Sequence, residues 1–386
     1  RDGRRGVRAP FLDEFGLAAK EGVALLGLAE PLLRVPDADT IDDLIQDMLA
    51  PNDWGAHIGD SGSLLVNAST WALMLTGRVL EDEEEGGVVG ALRGIVRRLG
   101  EPVIRTAVAR SMREMGAQFV LGRDIREALA NSAPMVAKGY GYSYDMLGEA
   151  ARTEQDAMRY HGAYAHAIAA LARAAKTDRI QANHGISVKL SALHPRYEYS
   201  QRDAMLPELT ARTLQLARSA KDAGIGFNID AEEADRLDLS LDIIEAVIAD
   251  PSLRGWDGFG IVVQAYGPRA APTIDWFYEL AGRFDRRVML RLVKGAYWDT
   301  EIKRAQTLGI DGFPVFTRKA HTDVSYIACA RKLLGMRDRS FPQFATHNAH
   351  TAAAVLHMAG DDQDDFEFQR LHGMGVSLHE ILRQRS

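Results

Sequence analysis

The chain predicts an α/β protein, a (βα)8 barrel of parallel strands preceded by an all-helical region. Three observations point there. From about residue 140 onward, short apolar or β-branched runs alternate with helical stretches of crossover length, the pattern of a parallel sheet, whether closed into a barrel or open and doubly wound. No GxGxxG follows the first run, as an open dinucleotide-binding sheet would usually show. Nearly every run also ends in polar residues: Asp145 and Glu149, Lys189, Asp230 and Glu232, Gln264, Arg291 and Lys294, Thr346 with His347 and Asn348, then Gln369 and His372. In a TIM-like barrel such residues converge on one face, where active sites sit.

Residues 1–138 read as helices joined by turns. In EPVIRTAVARSMREMGAQFV, Ile104, Val108, Met112, Met115 and Phe119 share one face, with Pro102 near the start and Gly122 past the end. Thr40 can cap TIDDLIQDML, and the acidic run at 81–87 reads as a solvated loop. Residues 139–386 carry the predicted strands, at 142–149, 186–191, 226–233, 259–266, 287–295, 343–348 and 366–373. Among the intervening helices, Leu237, Leu241, Ile244 and Ile248 form a stripe that ends before Pro251.

The 386 residues, 42.4 kDa in all, are enough for one large and one smaller domain. A formal charge of −7 with no clustered basic surface argues against a general nucleic-acid binder and for a small-molecule partner. The single cysteine, Cys329, excludes an internal disulfide and reads as a buried thiol on a helix. No apolar run approaches the roughly 20 residues that span a bilayer. The basic start RDGRR is not a secretory signal, and an initial Arg is expected of a processed or excised chain.

The stretch RLVKGAYWD, Arg291 to Asp299, draws most attention. An apolar strand ends there in two cations, a glycine and two aromatics. Three chemistries fit the polar ring. His347 and His350, with Asp230 and His372, could bind a divalent metal, although the cations at Lys189, Arg291 and Lys294 oppose a second positive centre. Lys189 or Lys294, with a pKa lowered by burial and neighbouring cations, could form a Schiff base as in barrel aldolases. The guanidinium of Arg291 beside amides and aromatics suits a planar electron-accepting cofactor whose reduced form is anionic.

VKLSALHPRYE (188–198), NIDAEEADRL (228–237), VVQAYGPR (262–269), RLVKGAYWDTEIKRAQ (291–306), FTRKAHTDVSYIAC (316–329), FATHNAHT (344–351) and FQRLHGMG (368–375) closely resemble the proline dehydrogenase barrel of the bacterial proline utilization A flavoproteins. WGAHIGDSGSLLVNASTWALMLTGR (54–78) resembles the arm and α-domain that precede it. The resemblance implies noncovalent FAD and oxidation of L-proline to Δ1-pyrroline-5-carboxylate by hydride transfer to flavin N5, the first step of proline catabolism to glutamate. Arg291 would then lie near N5, with Lys189, Asp230 and Tyr297 as further catalytic positions. Asp230, Val262, Gln264, Val293, Gly295, Ala296, Tyr297 and Trp298 would line the cofactor. Thr317, Arg318 and Lys319 would meet its pyrophosphate or ribose side, and Thr346, His347, Asn348 and Gln369 would complete the cradle. Lys189, Asp230, Tyr297 and Leu371 would shape the proline pocket, where Lys189 and Asp230 serve either as a plain ion pair or in proton transfer.

The same resemblance implies a membrane quinone as electron acceptor, a cytoplasmic location with peripheral association at the inner membrane, and room for a homo-oligomer in the full-length protein. Similarity is expected to stop at Gly375. The family's eighth strand and final helix, with the arginines that hold the substrate carboxylate, are not evident, and Arg383 and Arg385 lie in an unmatched context. Weak carboxylate binding, or a flavin-binding fragment without catalysis, is the corresponding expectation, along with two exposed sheet edges. The family's DNA-binding and aldehyde dehydrogenase modules are likewise not expected in this chain.

Overall fold

The computed structural model describes residues 119–385. The chain divides into two compact units, Arg1–Arg123 and Asp124–Ser386. The helical stretches predicted at 40–49 and 54–78, the acidic run at 81–87 and all but the last two residues of the helix predicted at 101–120 lie outside the described residues.

All seven predicted strands are present and form one parallel sheet in sequence order. They are β1 (Ser143–Asp145), β2 (Gly185–Val188), β3 (Gly226–Ile229), β4 (Phe259–Gln264), β5 (Val288–Val293), β6 (Ser340–Ala345) and β7 (Glu367–Gln369). Helices α1 (Ile125–Val136), α2 (Glu154–Ala174), α3 (Arg202–Asp222), α4 (Leu237–Ile248), α5 (Ala270–Arg283), α6 (Trp298–Leu308), α7 (Lys319–Leu334), α8 (Ala349–Ala359) and α9 (Val376–Arg385) alternate with them. Local chemistry sets their ends. Asp124 caps α1, Thr153 and Asp156 form a reciprocal capping box on α2, and Gly309 closes α6 in the left-handed region.

Alternation along the strands separates two environments. Ile186 and Val188, Phe227 and Ile229, Phe259, Ile261 and Val263, Val288, Leu290 and Leu292, and Phe344 are all buried. They form the face that packs beneath the helices. The opposite face carries Ser143, Asp145, Ser187, Asn228, Val262, Gln264, Arg291, Gln343, Glu367 and Gln369. Contacts across this face show that the sheet curls: Arg291 on β5 reaches Ser143 on β1 at 2.9 Å, and Asn228 on β3 donates to Gln343 on β6 at 3.0 Å. Gly260 sits beside Asn228 in register, where a Cβ would come within 2.7 Å of the Asn228 amide, so glycine makes room for the inward polar layer.

β1 and β7 are the outer strands, each of three residues. Such brevity limits what an edge offers to another chain. α9 ties the neighbourhoods of both together: His379 Nε2 lies 3.0 Å from the Thr346 carbonyl, and Tyr140, just before β1, donates to Glu380 at 3.2 Å. Arg370, just after β7, stands over the Tyr140 ring at 5.5 Å.

Candidate active site

At the C-terminal end of the curled sheet, four charged side chains from four strands meet. Lys189 Nζ donates to both Asp145 oxygens at 3.0 and 3.2 Å and to Asp230 Oδ2 at 3.1 Å. Arg291 Nη1 donates to Asp230 Oδ1 at 3.3 Å and to Ser187 Oγ at 2.9 Å, while Nη2 donates to Ser143 Oγ. The side chains of Lys189, Asp230 and Arg291 are only 15%, 15% and 12% exposed. At such depth a charge persists because it is paired and hydrogen-bonded. Arg291 Nε, by contrast, is buried and has no hydrogen-bond partner. The serines were not singled out by the sequence, and only their i, i+2 spacing from Asp145 and Lys189 places them on the same face.

The electrostatics overturn the Schiff-base expectation. Burial opposes the charge on Lys189, but Asp230 and then Asp145 outweigh it, and the Lys189 pKa is raised. An amine held charged between two carboxylates is a poor nucleophile. Lys294 is engaged by Asp323, which also accepts from Lys319. The metal set does not assemble either: His347 Nε2 accepts the Leu371 N–H at 2.9 Å, and Asp230 faces the two cations. Among the described residues, no group of three or more His, Cys, Asp or Glu is arranged to hold a metal ion.

Residues 128–386 match the family model described as proline dehydrogenase. The chain belongs to the proline dehydrogenase family. Residues 8–119 match a second model, described as the DNA-binding domain of proline dehydrogenase. The expectation that no such module is present is therefore not supported. The bifunctional protein PutA of Salmonella typhimurium is 52% identical over 380 residues, which cover 98% of this chain and 29% of that protein. The Rhizobium meliloti PutA is 51% identical over 373 residues, covering 96% and 30%. A crystal structure of a mutant of Bradyrhizobium japonicum proline utilization A superposes with a TM-score of 0.71 at 54% identity, over 98% of this chain and 38% of that one. The chain thus spans less than a third of the length of these two PutA proteins. Similarity does not stop at Gly375, because the proline dehydrogenase match runs to residue 386.

In this member of the proline dehydrogenase family the remaining predicted positions fall into three groups. Val262, Val293, Gly295 and Tyr297 are half-buried around the Arg291 cluster, and Ala296 and Trp298 are exposed. Gly295 has a φ of +140°, and a Cβ there would lie 2.3 Å from the Tyr266 ring, so both backbone and space call for glycine. Tyr297 OH is 3.5 Å from Glu149, and its phenol is kept neutral first by burial and then by Glu149 and Glu232. Gln264 gives one amide hydrogen to the Glu232 carbonyl at 2.9 Å and accepts the Ala296 N–H at 3.2 Å.

Thr317, Arg318 and Lys319 are exposed at the N-terminus of α7, where no side chain caps the helix. The helix dipole and the Arg318 guanidinium there suit an anion, while Lys319 is paired with Asp323 and the His321 N–H with the Arg318 carbonyl. The third group is engaged in the fold. Thr346 accepts the Asn348 N–H at 3.1 Å, Asn348 caps α8 through Thr351, and Gln369 donates to Glu367 at 2.6 Å. Leu371 is 65% exposed, so it walls no pocket in this arrangement.

Proposed function

We propose that the chain is an FAD-dependent proline dehydrogenase that oxidises L-proline to Δ1-pyrroline-5-carboxylate. The observation that carries this reading is the Arg291 guanidinium, fixed at the sheet's C-terminal end by Asp230 and two serines with its Nε buried and unpaired. A fixed cation with an unused donor favours negative charge that develops beside it. The surrounding features fit FAD. Val262 and Val293 are half-buried nearby, Trp298 is 39% exposed, and Arg318 and Lys319 at the start of α7 match a pyrophosphate. Bound FAD would supply the two-electron acceptor, taking a hydride at N5 from the ring carbon next to the proline nitrogen.

The chain's own residues bind and orient. Lys189 stays protonated and so is no general base; it anchors Asp230 and Asp145 and leaves the amine proton of proline to water. Tyr297, neutral, offers an aromatic wall of the size of the proline ring. Electrons then pass to a quinone. Among the described residues no helix is long and apolar enough to cross a membrane, and we assign any contact with the inner membrane from the cytoplasmic side to surface association. For residues 8–119 we propose a structural role, since acidic residues outnumber basic ones across that stretch.

The test is product formation. With FAD and an artificial acceptor, L-proline should yield Δ1-pyrroline-5-carboxylate, trapped with o-aminobenzaldehyde. Flavin binding without product would reduce the chain to a flavin-binding fragment, and neither binding nor product would remove the proposal.

A further inference from the structure

Five segments at the mouth, four loops and the end of β4, are joined by one run of hydrogen bonds, and two side chains that the proposed function leaves without a role stand at its centre. The Ser191 N–H donates to Glu232 Oε1 at 3.0 Å, and the Ser191 hydroxyl donates to Oε2. The same hydroxyl oxygen accepts the Ala150 N–H at 3.0 Å, and the Ser191 carbonyl accepts the Ala151 N–H at 2.9 Å. From the other side, the Glu232 carbonyl accepts from Gln264, whose own oxygen accepts from Ala296. The run therefore passes from the loop after β1 to the loop after β5. Ser191 is 2% exposed and Glu232 8%.

A buried carboxylate with two donors from one residue is a specific arrangement, because removing either partner leaves the other with unmet hydrogen-bonding capacity. The segments it joins carry Glu149, Lys189, Asp230 and Gln264. We infer that Ser191 and Glu232 are positioning residues for proline oxidation, a coupled pair that holds these segments in register around the mouth. The inference rests on the proposed function.

The groups facing Glu232 are Arg236 and Glu233 on its own loop, Tyr197 from the loop after β2, and Tyr297 at the head of α6. Burial pushes Glu232 up to about 7, against the Ser191 donors and Arg236, which favour the ionised form. Ionised, both its oxygens accept. Protonated, one becomes a donor and competes with the Ser191 hydroxyl, so the pair loosens as pH falls through neutrality.

The experiment uses the full 386-residue chain with FAD. Ser191→Ala and Glu232→Ala should each raise KM for L-proline about tenfold with kcat within about threefold, and the double variant should add less than about threefold, as members of one unit do. Glu232→Gln, whose amide N–H2 puts a donor where one carboxylate oxygen accepts and so mimics the protonated acid, should show the wild type's raised low-pH KM at every pH, abolishing the rise below neutral pH. Amide exchange at Ala150 and Ala151, which Glu232 does not directly bond, should quicken about tenfold in Glu232→Ala. Unchanged KM and exchange, or effects that multiply in the double variant, would overturn the pairing. If the wild type fails to oxidise proline, the functional proposal falls instead, and exchange alone decides whether the two residues hold the mouth: faster exchange sustains that role and unchanged exchange ends it. If the alanine variants do not fold, the pH profile of Glu232→Gln decides, a retained inflection counting against the pair.

Discussion

At the scale of single residues, Arg291 concentrates the account. Its removal leaves Asp230 still bonded to Lys189 and lets Ser143 and Ser187 keep their mutual contact at 3.0 Å, so the fold retains most of its partners. Arg291→Met should therefore slow reduction of the flavin by proline about 10²- to 10³-fold, the usual effect of losing one preorganised donor. The melting temperature should fall only a few degrees. Stopped-flow reduction beside calorimetry separates the two, and rapid reduction in this variant would remove Arg291 from the mechanism. Arg291, Lys189 and Asp230 were legible because charge at the end of an apolar run is costly unless used. Ser143 and Ser187 were not, since small hydroxyls in a strand are unremarkable until the curl of the sheet brings them to a guanidinium.

Among elements, seven strands were readable from runs of apolar residues, yet their limits were not. β6 begins at Ser340 and includes Pro342, a residue that argues against a central strand. The reason is local: β7 joins the ladder only from Gln343, so at Pro342 the strand is paired on the β5 side alone and a missing N–H is tolerated. On α4 the predicted stripe is partly correct. Ile244 and Ile248 are buried, but Leu239, Ile243 and Val247 are buried with them while Leu237 and Leu241 are only half-buried. The helix carries two adjacent apolar rows, and periodicity cannot say which one faces the sheet. α7 is fastened by one hydroxyl, as Tyr326 lies 3.2 Å from the carbonyls of both Leu292 and Ala345. Tyr326→Phe should cost about 1–2 kcal/mol. Differential scanning calorimetry should show a fall of about 2–4 °C with flavin binding retained; an unchanged melting point would mean that these bonds contribute nothing.

Across the whole molecule, two sets of buried groups oppose each other in pH. Burial lowers His161, His184 and His379, so the stability they contribute is present above about pH 6.5, their unfolded value, and is lost as pH falls through the folded values. Glu232 and Glu367 are raised by burial. Their contribution is full below about pH 4.3, the unfolded value, and is lost as pH rises, for Glu232 through about 7. Glu232→Gln removes one member of the second set. Its melting temperature relative to wild type should therefore improve as pH is raised from about 5 to about 8, and a difference independent of pH would show that Glu232 titrates normally.

One fold thus presents a buried cation, a basic helix start and a ring-sized aromatic wall at the same end of a parallel sheet. The anaerobic visible spectrum of the FAD-reconstituted chain, recorded before and after addition of L-proline, tests that claim most directly. The flavin band should be present and should bleach on addition of L-proline, with the Arg291→Met variant lagging far behind. A flavin band that L-proline leaves unchanged, in a chain that binds FAD normally, would contradict it.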